Sequence, residues 1–262
     1  MPDLSYMELV NAFASLELQN VPVIAHASLH AFGRVQSGPE TFVQTLLQSV
    51  AALIMPTHTY NTMITPSTGP SHNGIVYGSG QDMNRMADFY APAMPADRLM
   101  GVVPEALRQR PEAKRSMHPI LSFTGVRANK AIGSQTIEEP FAPIRMFAEA
   151  DGWVLLLGVD HTSNTTIHYA ERLAGRKQFT RWALTENGVV ACPGFPGDSS
   201  GFQVIEKDMQ PHTKKLQVGN ALVQAMPIKA LVDVVQQRLQ KNPKDLLCGD
   251  LSCARCNEIR KM

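Results

Sequence analysis

The sequence predicts an α/β fold, a single domain with a central mixed sheet flanked by helices. Short β-branched or apolar runs alternate with helical patterns along most of the chain, which is the signature of α/β architecture rather than of segregated layers. The chain has 262 residues and 44% of them are hydrophobic, enough for one full core. No internal repeat, low-complexity tract or charge block marks a linker, so residues 1–262 read as one domain.

The elements follow in order. Val21-Pro-Val-Ile-Ala25 is a short strand, with Pro22 at its start or on an edge. Ser37-Gly-Pro-Glu40 reads as a capping box, and Phe42, Val43, Leu46, Leu47 and Val50 then follow helical spacing. Ala52-Leu-Ile-Met55 is the next buried strand, stopped by Pro56. Residues 57–97 are rich in Gly, Pro, Ser, Thr and Asn and only weakly periodic. So long a stretch inside a compact chain predicts a functional loop near the active-site cleft. A helix over 102–110 ends before Pro111, a strand follows over 120–126, and a helix over 141–149. Residues 153–159 are continuously apolar, which predicts burial on both faces. They lead through a cap-rich turn to a helix over 167–173, closed by Gly175. A β-rich stretch over 179–190, a long polar connection and a terminal helix over 228–239 complete the reading.

Composition removes several classes of function. With 24 basic and 23 acidic side chains the net charge is +1, so no basic field exists to bind nucleic acid. No apolar run is long enough to cross a bilayer. The N-terminus carries Asp3 and Glu8 and lacks a basic start, which predicts no secretory signal and a cytoplasmic location. Four cysteines are too few for a disulfide scaffold.

Histidines collect after the apolar strands: His26 and His30 after Ala25, His58 after Met55, His161 and His168 after Val159. Ligands of open α/β sheets sit beyond the carboxyl ends of strands, so these positions suit catalysis or metal binding. They suit helix caps and loop amides equally well. His72 and His212 lie in polar, loop-like surroundings and read as surface residues. His168 and Glu171 are three residues apart, so on a helix they share a face. A carboxylate beside an imidazole fixes its tautomer, which suits a general base.

Arg108, Arg110, Lys114 and Arg115, followed by Ser116 and His118, read either as a phosphate-binding turn or as a solvated connection. No Walker loop or G-x-G-x-x-G follows a strand. No G-x-S-x-G elbow is present either, so a serine acyl-enzyme lacks support. Cys248-x4-Cys253-x2-Cys256 invites a zinc reading whose fourth ligand would be Asp250, Cys192 or a histidine. Reduced thiols are the preferred alternative.

Taken together, these segments resemble the aminoglycoside 3-N-acetyltransferase family, also called the antibiotic N-acetyltransferases. The resemblance rests on His26-Ala-Ser-Leu with Phe32-Gly33 and Ser37-Gly38, and on Leu53-Ile-Met-Pro-Thr57. Two further segments carry it: Met100-Gly-Val-Val-Pro-Glu-Ala-Leu-Arg108 running on to Arg115-Ser-Met-His-Pro119, and Val154-Leu-Leu-Leu-Gly-Val with Asn164-Thr-Thr-Ile-His-Tyr-Ala-Glu171. Gln217-Val-Gly-Asn-Ala221 adds a last match, so the order extends over about residues 20–240.

The resemblance implies acetyl transfer from acetyl-CoA to the 3-amino group of 2-deoxystreptamine antibiotics, and hence drug resistance. It implies a CoA cosubstrate, no required metal, small-molecule partners only, and a monomer or homodimer. By position, His168 is the general base and Glu171 orients it. The CoA site maps to Ser28, Leu29, His30, Ala31, Phe32, Gly33 and Val35, and to Arg115, Ser116 and His118. Because aminoglycosides are polycations, Asp82 and Asp88 in the 57–97 loop, with Tyr60 and Asn61, are the expected acceptor contacts. Competing readings are an acetyltransferase for another amino metabolite, a non-catalytic CoA- or aminoglycoside-binding protein, and a zinc-dependent hydrolase using His26, His30, His58 or His168. The last lacks an H-E-x-x-H or comparable ligand set.

Overall fold

A computed structural model describes residues 3–262; Met1 and Pro2, at the head of the N-terminal segment discussed above, lie outside the described residues. The strands are β1 (Pro22–Ala27), β2 (Ala52–Pro56), β3 (Met63–Ile64), β4 (Lys114–Arg115) and β5 (Phe123–Val126). They continue with β6 (Trp153–Leu157), β7 (Phe179–Thr185), β8 (Gly188–Phe195), β9 (Lys214–Val218) and β10 (Ala221–Pro227). Seven of them form one sheet in the order β4-β5-β2-β1-β6-β10-β9, while β3-β7-β8 make a smaller one. At the centre β2, β1 and β6 run parallel, with Val23 opposite both Leu53 and Trp153. β5 and β10 flank this trio in antiparallel register. The fold is therefore the α/β mixed sheet that the sequence predicts.

Alternation along β6 explains its continuous apolar run. Val154 and Leu156 pack with Ile24 and Ile54 on one face, whereas Leu155 and Leu157 pack with Val23 and Leu53 on the other. One face is covered by helices Tyr6–Ala14, Gly38–Ser49 and Val102–Arg108, through Leu9, Phe13, Phe42, Leu46 and Leu107. The other is covered by helices Ala142–Glu149, Thr165–Leu173 and Ile228–Lys241, through Ile144, Phe147, Ile167, Leu231 and Val235. Each fully buried Leu or Phe contributes about 1.5–3 kcal/mol, so the central strands are the rigid base of the molecule. Among the described residues no helix is long and apolar enough to cross a membrane.

Several expectations are corrected. Ser37 does not cap: its φ is 59° and its side chain makes no cap hydrogen bond. The helix still starts at Gly38, because Pro39 in its first turn has the right φ and needs no amide partner. The capping box sits instead at Ser5 and Glu8, opening helix Tyr6–Ala14. The polar connection contains β9 and β10, and β10 pairs directly with the central β6. Its signal is Gly219-Asn220, a two-residue hairpin turn between strand-like runs. The strand expected over 120–126 begins only at Phe123, because His118 Nδ1 takes the amides of Ile120 and Leu121 at 3.1 and 3.0 Å. A last helix, Ala254–Arg260, also escaped the sequence reading.

Residues 57–97 are tethered despite their loop composition. Asn84 bonds both backbone groups of Thr65 at 2.7 and 2.8 Å. Asn73 does the same for Thr180 at 2.8 and 2.9 Å, fixing the segment to β7.

Candidate active site

The parallel strands β2, β1 and β6 point the same way, and a cleft of about 860 Å³ opens beyond their carboxyl ends. His26 from β1, His58 just after β2, and Val159 just after β6 all line it. The chain leaves β6 through Gly158 at φ +66°, where a Cβ would come within 2.5 Å of the Ala31 Cβ. Only glycine permits that close approach. A cap-rich turn then delivers helix Thr165–Leu173: Asp160 Oδ1 accepts from the Thr162 amide at 2.9 Å, and Asn164 Oδ1 from the Thr166 amide at 3.2 Å.

His168 stands in the first turn of this helix and borders the cleft. Its Nδ1 lies 3.0 Å from Glu171 Oε2, as the i,i+3 spacing predicts. That contact fixes the tautomer with Nδ1 protonated and leaves Nε2 as the basic nitrogen. Phe141 stacks on the ring at 6.3 Å and Phe202 meets it edge-on at 4.7 Å, so its orientation is set by packing. Glu171 is 2% exposed, and a lone carboxylate there would be costly. Arg176 supplies the counter-charge, its Nη1 3.7 Å from Glu171 Oε1, while its Nη2 donates to the Asp245 carbonyl at 2.7 Å. Sequence reasoning missed Arg176. It lies just past Gly175, where the helix ends, and no motif marks it.

His26 and His58 differ in kind. Burial pushes both down to about 3, so they are neutral at ordinary pH. His58 Nδ1 pairs with the Tyr60 hydroxyl at 2.9 Å. Asn164 is 1% exposed and borders the cleft, and its Nδ2 has no protein partner. Read from sequence only as part of a cap, it is also a spare buried donor beside the cleft.

The predicted cofactor residues divide. Ser28, Leu29 and His30 line the cleft. Ala31 lines an adjoining one of about 570 Å³, which shares Ser28, Val159 and Ser163 with the first. Phe32 and Val35 are core residues, and Gly33 is a turn at φ +83°. Arg115, Ser116 and His118 do not border the cleft. The Arg115 guanidinium is consumed by Ser122 Oγ at 3.1 Å and the carbonyls of Thr57, Pro92 and Met94 at 2.6, 3.3 and 2.5 Å. Ser116 Oγ accepts the Phe123 amide at 2.8 Å, and His118 holds its own turn. Arg108 and Arg110 are likewise paired, with Glu105 and Glu112 at 2.6 Å each. The structure shows these side chains tying the chain together, away from the cleft where the resemblance implied a cofactor contact.

The acceptor residues also divide. Tyr60 lines the cleft, but Asn61, Asp82 and Asp88 do not. Asp82 is 97% exposed beside Arg85, and Asp88 takes the Asn61 amide at 2.5 Å. The cleft's own carboxylate is Asp198, from the loop after β8, with Arg255 beside it at 3.4 Å. Hydrogen bonds from Ser200 and the charge of Arg255 outweigh burial and hold Asp198 below the usual carboxylate range. Asp160 and Glu206 border the adjoining cleft. Nothing local in the sequence sets these apart, because the fold alone brings them to the cleft.

His168, Glu171 and Arg176 form a buried histidine–carboxylate–arginine cluster beside a cleft at the carboxyl edge of a mixed sheet in an α/β protein. A family model described as aminoglycoside 3-N-acetyltransferase matches residues 24–240, and the chain belongs to that family. The aminoglycoside N(3')-acetyltransferase-like protein YokD of Bacillus subtilis is 30% identical over 176 residues, 63% of this chain and 64% of its own length. The aminoglycoside N(3)-acetyltransferase III of Salmonella sp is 31% identical over 215 residues, covering 70% of this chain and 72% of that one. Several other relatives are spanned over only 52–54% of their length. In three dimensions the crystal structure of YokD matches with a TM-score of 0.79 at 23% identity, over 93% of this chain and 96% of that one. An enzyme described as AAC-IIIb, solved as a binary complex with CoASH, matches with a TM-score of 0.74 at 20% identity, over 92% and 97%.

Proposed function

We propose that this protein transfers an acetyl group from acetyl-CoA directly to an amine of an aminoglycoside, with His168 as general base. The observation that carries the reading is the His168–Glu171–Arg176 cluster, which leaves the His168 Nε2 as the basic nitrogen beside the cleft. An aminoglycoside amine is mostly protonated at neutral pH and must lose a proton before it can attack. The ammonium first gives its extra proton to solvent, and His168 Nε2 then takes a second proton as the neutral amine nitrogen bonds to the thioester carbonyl carbon. The tetrahedral intermediate collapses with cleavage of the C–S bond, and the proton passes to the departing thiolate. The products are the N-acetyl amine and CoA thiol, and no enzyme nucleophile takes part. On this reading Asn164, which borders the cleft and has an unpartnered buried Nδ2, would turn that group to donate to the oxygen that gains charge.

The walls fit the two substrates. Leu99 and Val102 border the cleft yet are 80% and 56% exposed, and such apolar surface suits the pantetheine arm of CoA. Asp198, with Asp160 and Glu206 next door, gives the carboxylates that ammonium groups need. On this reading the whole chain acts as one acetyltransferase domain, and residues 57–97 add a wall through His58, Tyr60 and Met63.

Thiol release from acetyl-CoA, followed across a panel of aminoglycosides and small uncharged amino compounds, tests the proposal. Release with at least one 2-deoxystreptamine drug, acetylated on its 3-amino group, is expected. Release only with small amines would overturn the acceptor, and none with any amine would overturn the reaction.

A further inference from the structure

Cys248, Cys253 and Cys256 lie at the far end of the chain, and the fold brings them together. Their three Sγ atoms all lie within 4.8 Å of one another, the one such grouping of potential metal ligands among the described residues. No disulfide joins them. Cys248 and Cys256 are buried and Cys253 is partly so. Cys253 is the N-cap of helix Ala254–Arg260, which turns Cys256 back toward the loop that carries Cys248. A Zn–S bond of about 2.3 Å sets two sulfurs of a tetrahedral ion roughly 3.8 Å apart, so small side-chain movements would close the three around one ion.

The surrounding chain is folded around this point. Arg260 donates to the carbonyls of Cys248 and Asp250. Asn257 Nδ2 donates to the Leu251 carbonyl at 2.6 Å, and Ser252 gives both its amide and its hydroxyl to Asp250 Oδ1 at 2.7 Å. Apolar anchoring is thin by comparison. Beyond residue 243 the buried side chains are Leu246, Cys248, Cys256 and Ile259, so half of them are thiols, while Leu251 is 81% exposed. A short segment with so little core needs a staple.

We infer that Cys248, Cys253 and Cys256 form a structural site for a thiophilic divalent cation of the zinc class, separate from the acyl-transfer chemistry. The donor set selects the metal, because three thiolates suit zinc and reject the oxygen-seeking cations. Three thiolates on a divalent ion leave one negative charge, and Arg255 and Arg260 stand on the same helix to offset it. The fourth position falls to water or another exogenous ligand. The consequence reaches the cleft. Arg255, between two of the cysteines, borders the cleft, pairs with Asp198 and lies 5.5 Å over the Phe195 ring. The ion would therefore hold one wall of the substrate site by fixing the helix behind it. On this inference the thiols hold an ion instead of standing free, and the acyl transfer makes no use of it.

The test is metal analysis of the full chain purified under reductant without a metal-binding tag. One zinc per chain is expected. After chelation and desalting, added Co²⁺ should give the charge-transfer absorption of cobalt–thiolate bonds and the visible bands of a tetrahedral ion. Cys253→Ser and Cys256→Ser should each lose the stoichiometric zinc, and Cys192→Ser, away from the cluster, should keep it. Chelator should also make the chain after residue 246 sensitive to limited proteolysis. Wild-type protein that retains no zinc after Zn²⁺ addition and desalting, and gives no thiolate band with Co²⁺, would overturn the site without recourse to any variant. So would a Cys253–Cys256 disulfide found by mass spectrometry in the freshly purified protein.

Discussion

His168 is held by three agents at once: Glu171 at its Nδ1, and Phe141 and Phe202 against its ring. His168→Ala should lower kcat by at least about 10²-fold, the scale for loss of a general base, with CoA affinity unchanged; near-normal turnover would remove it from the mechanism. Glu171→Gln should cost less in kcat and displace the pH–rate profile. The same change strips Arg176 of its buried counter-charge, so the melting temperature should fall as well. Restoration of the profile by Glu171→Asp would separate the electrostatic role from packing. Arg115 makes the opposite prediction. Its guanidinium is spent on one hydroxyl and three carbonyls. Arg115→Ala should therefore lower stability by about 2–5 kcal/mol, as several charge-assisted bonds are lost, while the KM for acetyl-CoA stays constant in the folded fraction. A large rise in that KM with no loss of stability would return Arg115 to the cofactor site.

At the scale of elements, helix Thr165–Leu173 begins at Asn164, whose Oδ1 caps the helix while its buried Nδ2 has no hydrogen-bond partner among the described residues. Asn164→Asp keeps a good cap and deletes the donor. It should hold its melting temperature and lose turnover, by about 10²–10³-fold if Nδ2 serves the developing oxyanion. Asn164→Ala should lose both, including about 1 kcal/mol of stability; equal turnover in the two variants and wild type would leave only the cap. Legibility also varies by element. β1, β2, β6 and the helix carrying His168 were readable because burial on both faces and an i,i+3 pair leave local marks. β10 was not, since Gln224 interrupts its apolar run and the hairpin turn at Gly219-Asn220 was passed over. The dyad was legible for the same local reason. Arg176, Asp198 and Arg255 were invisible, because their places depend on how distant segments dock on the sheet.

Across the whole molecule the buried histidines link folding to pH. His26, His58, His118 and His161 are buried, the first two pushed down to about 3 and the others to about 4. Desolvation is the leading cause in each. Nearby histidines and Arg115 lower His58 further, while Glu206 and Asp160 partly offset the effect at His161. In the unfolded chain each would titrate near 6.5. Between that value and 3–4 the unfolded state binds more protons than the folded one. Stability is then complete above pH 6.5 and drains away as the pH falls toward the folded values. Once the pH is well below 6.5, each histidine adds a slope of about 1.4 kcal/mol per pH unit. Four acting together make the loss steep before most carboxylates begin to titrate. Urea melts at pH 7.5, 6.5, 5.5 and 5.0 should show a midpoint nearly constant over the first pair and falling sharply over the last. His161 is fully buried and borders neither cleft, so His161→Phe should flatten the fall by one histidine's share, and His161→Gln provides a smaller replacement. A midpoint that stays level down to pH 5.0 would mean these rings reach water or find a proton acceptor in the folded state.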